Sequence, residues 1–137
     1  MVHALTEAHR VLKPNGILID MRPAAVHRRV GLGAGKSWRF VGAMRELLDD
    51  DFAADRAVRQ AVRNGYLCRG SRIEFNFDRV MDTLPDVRAW LDDFPKEKVP
   101  YIDSLYRKVE RALATKPDGT KITLRGPLKI GLLRKIK

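Results

Sequence analysis

The start of the chain combines helically spaced apolar residues with a continuous apolar run. The helical spacing of three or four positions is carried by Val2, Leu5, Ala8 and Leu12. Pro14 ends this helix, because the residue before a proline disfavours the helical conformation. Gly16 is expected to supply the turn that follows. The apolar run Ile17–Ile19 then predicts a strand that is buried on both faces of an α/β sheet.

A glycine-rich segment and a helix are predicted next. The segments 26–32 and 37–41 are expected to pair as a hairpin around Gly33-Ala34-Gly35. Asp49-Asp50-Asp51 offers N-cap oxygens and negative charge at the positive end of a helix dipole. The predicted helix runs from about residue 52 to residue 64, with Gly65 in the C′ position.

The second half of the chain contains the clearest strand pattern. Apolar and polar residues alternate over Ser71–Thr83, which predicts a half-buried strand. Leu84-Pro85 opens a short helix, and a longer helix is expected over about residues 99–115. The chain closes with a strand from Ile122 to Leu133, which Pro127 should interrupt because proline lacks a backbone N–H.

Composition indicates one folded domain, residues 1–137. The chain is 45% hydrophobic, and its length suffices to bury a core. No apolar run approaches the roughly 20 residues of a membrane-spanning helix. The single cysteine, Cys68, cannot form an internal disulfide, so we expect a reducing, cytoplasmic location and no membrane association.

Positive charge is concentrated in three parts of the chain. The net charge is +10, and no acidic residue lies between Arg22 and Arg45 or after Gly126. A third group, Arg56, Arg59 and Arg63, is spaced along one helix face, where it could either contact phosphates or simply face solvent. Nucleic acid is therefore a candidate partner.

Two further kinds of site are not favoured by residue spacing. The segment Gly31–Ser37 resembles a phosphate-binding loop, but such a loop needs its first glycine at residue 30, which is Val30. A flexible hairpin turn is the better interpretation. His3, His9 and His27 lack metal-ligand spacing with Cys68 or a carboxylate cluster, so no metal site is predicted.

The segment Ala4–Asp20, with its central Leu12-Lys13-Pro14-Asn15-Gly16, resembles a known protein family. It is similar to the helix–turn–strand segment in the C-terminal half of class I S-adenosylmethionine-dependent methyltransferases. The resemblance implies the C-terminal portion of a Rossmann-like methyltransferase fold. That portion would contain about three main strands, one of parallel type and two antiparallel, plus a possible hairpin, packed with helices.

By this resemblance, the strands have family counterparts. Ile17–Asp20 would be the fifth strand, Ser71–Thr83 the sixth, and Ile122–Leu133 the seventh, inserted between the other two. The family's glycine-rich cofactor loop and acidic ribose-binding residue would precede Met1. Gly31-x-Gly33-x-Gly35 comes after the matching segment and leaves no room for the helix and strand that such a loop requires. We therefore expect a truncated domain that binds no cofactor alone.

Asp20 and Arg22 are the candidate substrate-side residues. Ligands of open α/β sheets bind beyond the carboxyl ends of the parallel strands, and these residues lie at the end of the strand that begins at Ile17. One interpretation is that they contact an anionic or polar substrate. The other is that they form a structural salt bridge or anchor a loop. The catalytic residue is left unassigned.

The strand Ile17–Asp20 is also expected to leave an apolar edge exposed where the family's fourth strand would pair. Self-association, the basic hairpin, or a partner such as the missing N-terminal half would cover that edge. The leading hypothesis is an inactive, substrate-side methyltransferase fragment. The alternatives are a stand-alone basic module that binds nucleic acid or another anionic partner, and a subunit that complements a separate cofactor-binding chain.

Overall fold

The computed structural model describes residues 2–95 and 97–136. Met1, before which the family's cofactor loop was expected, and Lys137, the last basic residue after Gly126, lie outside the described residues. Four helices and five strands are present among the described residues. In chain order they are α1 (Val2–Val11), β1 (Ile17–Pro23), β2 (Arg28–Leu32), β3 (Arg39–Met44), α2 (Asp49–Arg63), β4 (Leu67–Met81), α3 (Leu84–Asp92), α4 (Ile102–Leu113) and β5 (Ile122–Lys135).

The strands form a five-stranded antiparallel sheet, so the mixed α/β class is confirmed. The strand order is β1-β5-β2-β3, and β4 pairs with β5. The predicted parallel-type strand is not seen among residues 2–95 and 97–136. The segment assigned that role, β1, pairs antiparallel with β5 from Ile17↔Arg134 to Pro23↔Leu128. A parallel neighbour would have to lie on the other edge of β1, where the described residues place no strand.

The chain divides into two compact units. The first unit contains residues up to 25, residues 48–75 and residues from 127, and the second contains residues 26–47 and 76–126. The core of the first unit is built from α1, α2, β1, β4 and β5. Its buried residues are Val58, Ala61, Leu67 and Leu133, and partly buried residues packed on them are Leu5, Leu12, Leu18 and Val62.

In the first unit, β1 is not buried on both faces, contrary to the expectation from its apolar run. Leu18 packs into the core, whereas Ile17, Ile19 and Met21 are 51%, 64% and 65% exposed. Side chains alternate between the two faces of a strand, and in the described residues only the Leu18 face is covered by helices. The apolar run Ile17–Ile19 therefore has one side chain on the buried face of the strand and two on an exposed apolar face.

The turn before β1 also differs in detail from its prediction. Asn15, not Gly16, adopts the left-handed conformation, with φ of 62°, as expected at the third position of a type II turn after Pro14. Gly16 is nevertheless needed, because a β-carbon there would lie 2.8 Å from the carbonyl oxygen of Lys13.

Helix α2 begins one turn earlier than predicted. Asp49, Asp50 and Asp51 lie in its first turn, and the N-cap is Leu48, which makes no side-chain capping bond. The carboxylates therefore favour the helix through its dipole and not as N-cap residues. Its C-terminus is as predicted: Gly65 has a φ of 71°, and the N–H of Tyr66 donates to the carbonyl of Ala61 in a Schellman arrangement.

The second unit contains the predicted glycine-rich hairpin. β2 and β3 pair antiparallel, and a single 3-10 turn, Gly35–Ser37, lies between them. Helices α3 and α4 belong to the same core, with Thr83 capping α3 by accepting the Asp86 N–H. The buried residues of this core are Val30, Leu32, Met44, Met81, Val87, Leu91, Val99, Leu105, Val109, Ile122 and Leu124.

Pro127 does not end the last strand. β5 continues from Ile122 to Lys135, because Pro127 lies between two separate pairings. The register with β2 ends at Arg125, and the register with β1 begins at Leu128. The missing N–H of Pro127 therefore falls between the two registers, and its carbonyl accepts the Ala24 N–H at 3.0 Å.

Candidate functional site

Four charged side chains of the first unit form a connected ion cluster. Arg22 Nε donates to both carboxylate oxygens of Asp20, at 2.9 and 3.0 Å. Arg22 Nη1 donates to Asp55 Oδ1 at 2.6 Å. Lys129 Nζ donates to the same Asp55 oxygen at 2.5 Å. We call Asp20, Arg22, Asp55 and Lys129 the ion cluster. Asp55 is its centre, because one carboxylate oxygen accepts from two cations.

Local structure explains how these four residues meet. Asp20 and Arg22 lie two positions apart on β1, so both side chains leave the same face of the strand. Their register partners on β5 are Gly131 and Lys129, which places Lys129 directly opposite Arg22. Asp55 comes from the second turn of α2, the helix whose buried residues pack on this face.

The ion cluster is shielded from solvent. The side chains of Lys129 and Arg22 are 7% and 13% exposed, and those of Asp20 and Asp55 are 19% and 24% exposed. A charge removed from water at such a position needs a counter-charge and hydrogen bonds. The cluster supplies both, since it holds two positive and two negative groups.

The surroundings shift two pKa values in the cluster. Burial by itself would raise the pKa of Asp55, but hydrogen bonds and charges from Lys129 and Arg22 outweigh it, so the pKa of Asp55 lies below its ordinary value. Burial likewise opposes the charge of Arg22. The ion pairs with Asp20 and Asp55 outweigh that effect and raise the pKa of Arg22. Both groups therefore stay charged near neutral pH.

A cavity of about 130 Å³ lies over the ion cluster. All four cluster residues line it, together with three arginines: Arg59 from α2, and Arg69 and Arg72 from β4. Arg72 forms an ion pair with Glu74. Arg59 and Arg69 are exposed and form no ion pair with residues 2–95 or 97–136. The cavity thus has a charge-balanced floor and an excess of positive charge around it.

The structure therefore brings the two candidate residues from the sequence, Asp20 and Arg22, together in a salt bridge and places both in the wall of one cavity. Whether either contacts a substrate stays a prediction. The histidines and Cys68 do not join them. Within the part of the chain that the structure describes, no three His, Cys, Asp or Glu residues are grouped as metal ligands.

Sequence reasoning missed Asp55, Lys129 and Arg69. Two of them carried a signal. Asp55 is a carboxylate beside the apolar stripe of a helix, three positions before the buried Val58, and Lys129 interrupts the apolar pair Leu128 and Ile130 within a strand. A charge of each sign inside an apolar pattern indicates a buried ion pair.

The glycine-rich segment forms no phosphate-binding loop. Gly31 lies in β2, and its β-carbon would come within 2.5 Å of Trp38 ring atoms. Gly33 and Gly35 have positive φ in the hairpin turn. A phosphate loop joins a strand to the N-terminus of a helix, whereas this segment joins two antiparallel strands through one 3-10 turn.

The described helices and comparisons with known proteins do not identify a family or a function for the chain. Among residues 2–95 and 97–136, no helix is long and apolar enough to cross a bilayer. Comparisons of the chain with protein-family models, with curated proteins and with solved structures found no match. The ion cluster with its cavity and the open edge of β1 are the features of the first unit that bear on function.

Proposed function

We propose that this chain is the substrate-side portion of a class I S-adenosylmethionine-dependent methyltransferase with a Rossmann-like fold. Strand pairing supports the proposal. In the family pattern, the seventh strand is inserted between the fifth and the sixth, and here β5 pairs with both β1 and β4. The preceding helix α1 and the connecting helix α2 also fall where that pattern has helices.

The observation that carries the proposal is the open edge of β1. The carbonyl of Gly16 accepts from Lys135 N–H at 2.9 Å, and Ala24 N–H donates to Pro127 at 3.0 Å. Residues of an antiparallel strand alternate between bonding one neighbour and pointing to the other side. The amides of Ile17, Ile19 and Met21 therefore point to the edge that no described strand pairs.

This edge is apolar as well as unpaired. The side chains of Ile17, Ile19 and Met21 are more than half exposed, so the strand offers both backbone hydrogen-bonding groups and apolar surface to a partner. A flat apolar edge strand invites pairing with another strand. We propose that a cofactor-binding half pairs here through a strand parallel to β1, and that the chain self-associates through this edge when that half is absent.

The glycine-rich segment of the described residues does not have the arrangement in which the family holds S-adenosylmethionine. The family holds this cofactor on a glycine-rich turn between a buried strand and a helix, but Gly31–Gly35 lies in the β2–β3 hairpin. The cavity over the ion cluster, at about 130 Å³, is well below the roughly 300–1,000 Å³ of typical small-molecule pockets. We therefore propose that the chain alone does not catalyse methyl transfer, and that Asp20 and Arg22 help to form a substrate-side wall.

Two measurements test the methyltransferase proposal. The coding DNA before the first codon is expected to contain an in-frame Asp/Glu-x-Gly-x-Gly-x-Gly motif. A protein extended to include that motif is expected to bind S-adenosylmethionine in isothermal titration calorimetry, with the 137-residue chain as the matched control. An in-frame stop codon directly upstream and no cofactor-binding partner for the chain would contradict the proposal.

A second candidate function is a stand-alone module that binds an anionic partner, including nucleic acid. The excess positive charge around the cavity favours it, because Arg59 and Arg69 have no ion-pair partner among the described residues. Binding to a nucleic acid would weaken steeply with salt, since phosphate contacts release counterions. Affinity that does not change between 50 mM and 200 mM salt would argue against this function.

The third hypothesis, a complementing subunit, uses the same β1 edge with the cofactor-binding half on a separate chain.

A further inference from the structure

We propose that the cavity over the ion cluster binds a phosphomonoester group, with Arg59 and Arg69 as its direct ligands. This inference deepens the substrate-side role proposed above and rests on it only in treating the ligand as a substrate. It concerns a group of the size and charge of phosphate carried by a small molecule.

Charge matching supports a dianion. The cavity is lined by five basic and two acidic side chains. Glu74 balances Arg72 from outside the lining, so two positive charges, those of Arg59 and Arg69, are left without a counter-charge among residues 2–95 and 97–136. A phosphomonoester carries about 1.5 to 2 negative charges at neutral pH. A carboxylate or a phosphodiester, with one charge, would leave an arginine unmatched.

The ion cluster fixes the floor on which such a ligand would rest. Arg22 and Lys129 are held by Asp55 and Asp20 and are largely buried, so they are ordered before any ligand arrives. Their positive charge is offset by the two carboxylates. Arg59 of α2 and Arg69 of β4 instead have no ion-pair partner among residues 2–95 and 97–136, and the planar guanidinium group suits bidentate contact with phosphate oxygens.

The cavity also has free space beside Gly131. Gly131 lines it, and a β-carbon at Gly131 would meet no atom within 4 Å. Its φ is not in the left-handed region, so a larger side chain can be introduced without backbone strain. The volume of about 130 Å³ suits a single small group and not a whole nucleotide.

The test is a titration of the 137-residue chain with inorganic phosphate and with phenyl phosphate. Binding is measured by calorimetry and by the NMR shifts of the Gly70 and Gly131 amides. We expect inorganic phosphate and phenyl phosphate, which can both carry two negative charges, to bind saturably. Dimethyl phosphate, which carries one, is expected to bind at least tenfold more weakly. Binding of phenyl phosphate is expected to weaken between pH 7 and pH 5, because the second pKa of a phosphomonoester is about 6.

Matched variants locate the site. Arg59→Gln and Arg69→Gln are each expected to weaken phenyl phosphate binding about tenfold or more, as for the loss of a hydrogen bond to a charged group. Arg56→Gln changes an exposed arginine of the same helix that does not line the cavity, and it is expected to change affinity less than twofold. Gly131→Val is expected to abolish binding by filling the cavity while circular dichroism stays unchanged.

Several results would overturn the inference. These are no saturable binding to the wild-type chain, an equal loss in Arg56→Gln, or full binding in Gly131→Val. Tighter binding of a single-stranded oligonucleotide than of phenyl phosphate at 0.15 M salt would instead assign the arginines to a polymer. The titrations contain no S-adenosylmethionine, so their failure leaves the methyltransferase proposal intact. Failure of the extended protein to bind that cofactor likewise leaves this site intact.

Discussion

Replacing Asp55 by asparagine is the sharpest perturbation of the ion cluster. The amide keeps the size of the side chain but removes the negative charge that both Arg22 and Lys129 contact. Arg22 retains its bonds to Asp20. Lys129, which is only 5% exposed, loses the acidic partner that its ammonium group contacts. The variant therefore tests what a buried charge costs without its counter-ion.

The size of the effect follows from this burial. Removing one partner of a buried ion pair typically costs about 3–5 kcal/mol. The side chain of Asp55 is 24% exposed, so water can solvate part of the uncompensated charge, and we expect about 2–3 kcal/mol for Asp55→Asn. At the protein's length this corresponds to a melting temperature lower by about 10 °C.

Urea unfolding measured by far-UV circular dichroism and by the methyl resonances of Val58 checks this expectation. Val58 reports the first unit, to which the cluster belongs. The control is Glu7→Gln, which breaks an exposed ion pair with Arg10 and should cost at most about 0.5 kcal/mol. A second change, Lys129→Met, combined with Asp55→Asn is expected to restore at least half of the lost stability.

If the unfolding free energy of Asp55→Asn stayed within about 0.5 kcal/mol of the wild-type value, Asp55 would contribute no more than an exposed ion pair, contrary to the expectation. A further loss of stability on adding Lys129→Met would also contradict the expectation, because the buried ammonium could then not be the source of the loss.

The pH dependence of Asp55 provides an independent check. Its folded-state pKa is depressed, so the unfolded state binds protons more readily. Its contribution to stability is therefore present above the unfolded carboxyl pKa of about 4 and is lost as the pH falls from there toward the folded pKa. Asp55→Asn should flatten the stability profile in this acid range. The loss of stability with acid that remains in this variant is expected to come from Asp78, whose pKa is lowered by its hydrogen bonds to Arg125.

Three further substitutions test the local structure. Thr83→Ala removes the N-cap of α3 and should cost about 1 kcal/mol in urea unfolding, whereas Thr83→Ser should cost much less. Gly65→Ala places a β-carbon on a residue with φ of 71° and should destabilise the chain by about 1 kcal/mol; an unchanged midpoint would argue against the Schellman end of α2. Leu67→Ala empties a fully buried position in the first unit and should cost about 2–5 kcal/mol, with Ile73→Ala on the exposed part of β4 as the control.

Local rules predicted most elements of the chain, and they were wrong where an element depends on distant residues. The hairpin around Gly33–Gly35 and the end of α2 at Gly65 follow from backbone conformations that nearby residues determine. The burial of β1 does not follow from nearby residues. Its run Ile17–Ile19 has the same apolar pattern whether one face or two are covered, and only the arrangement of helices and strands around β1 distinguishes the two cases.

The site shows the same division. Asp20 and Arg22 could be selected because they lie at the end of a predicted strand, two residues apart. Their partners could not be selected from the sequence. Asp55 lies 33 residues from Arg22, and Lys129 lies 74 residues from Asp55. Which cation meets which carboxylate depends on the β1–β5 register and on how α2 packs, and neither can be read from residue spacing.

The proposed function depends on the open edge of β1 acting as a pairing surface. Light scattering combined with amide hydrogen exchange of the isolated chain measures whether this edge pairs. We predict a mass above that of one chain, with the Ile17, Ile19 and Met21 amides protected in the associated form. Ile19→Lys should shift the chain to monomers and expose these amides, because a charge blocks strand pairing. A wild-type chain that stays monomeric while the same three amides exchange rapidly would contradict the claim.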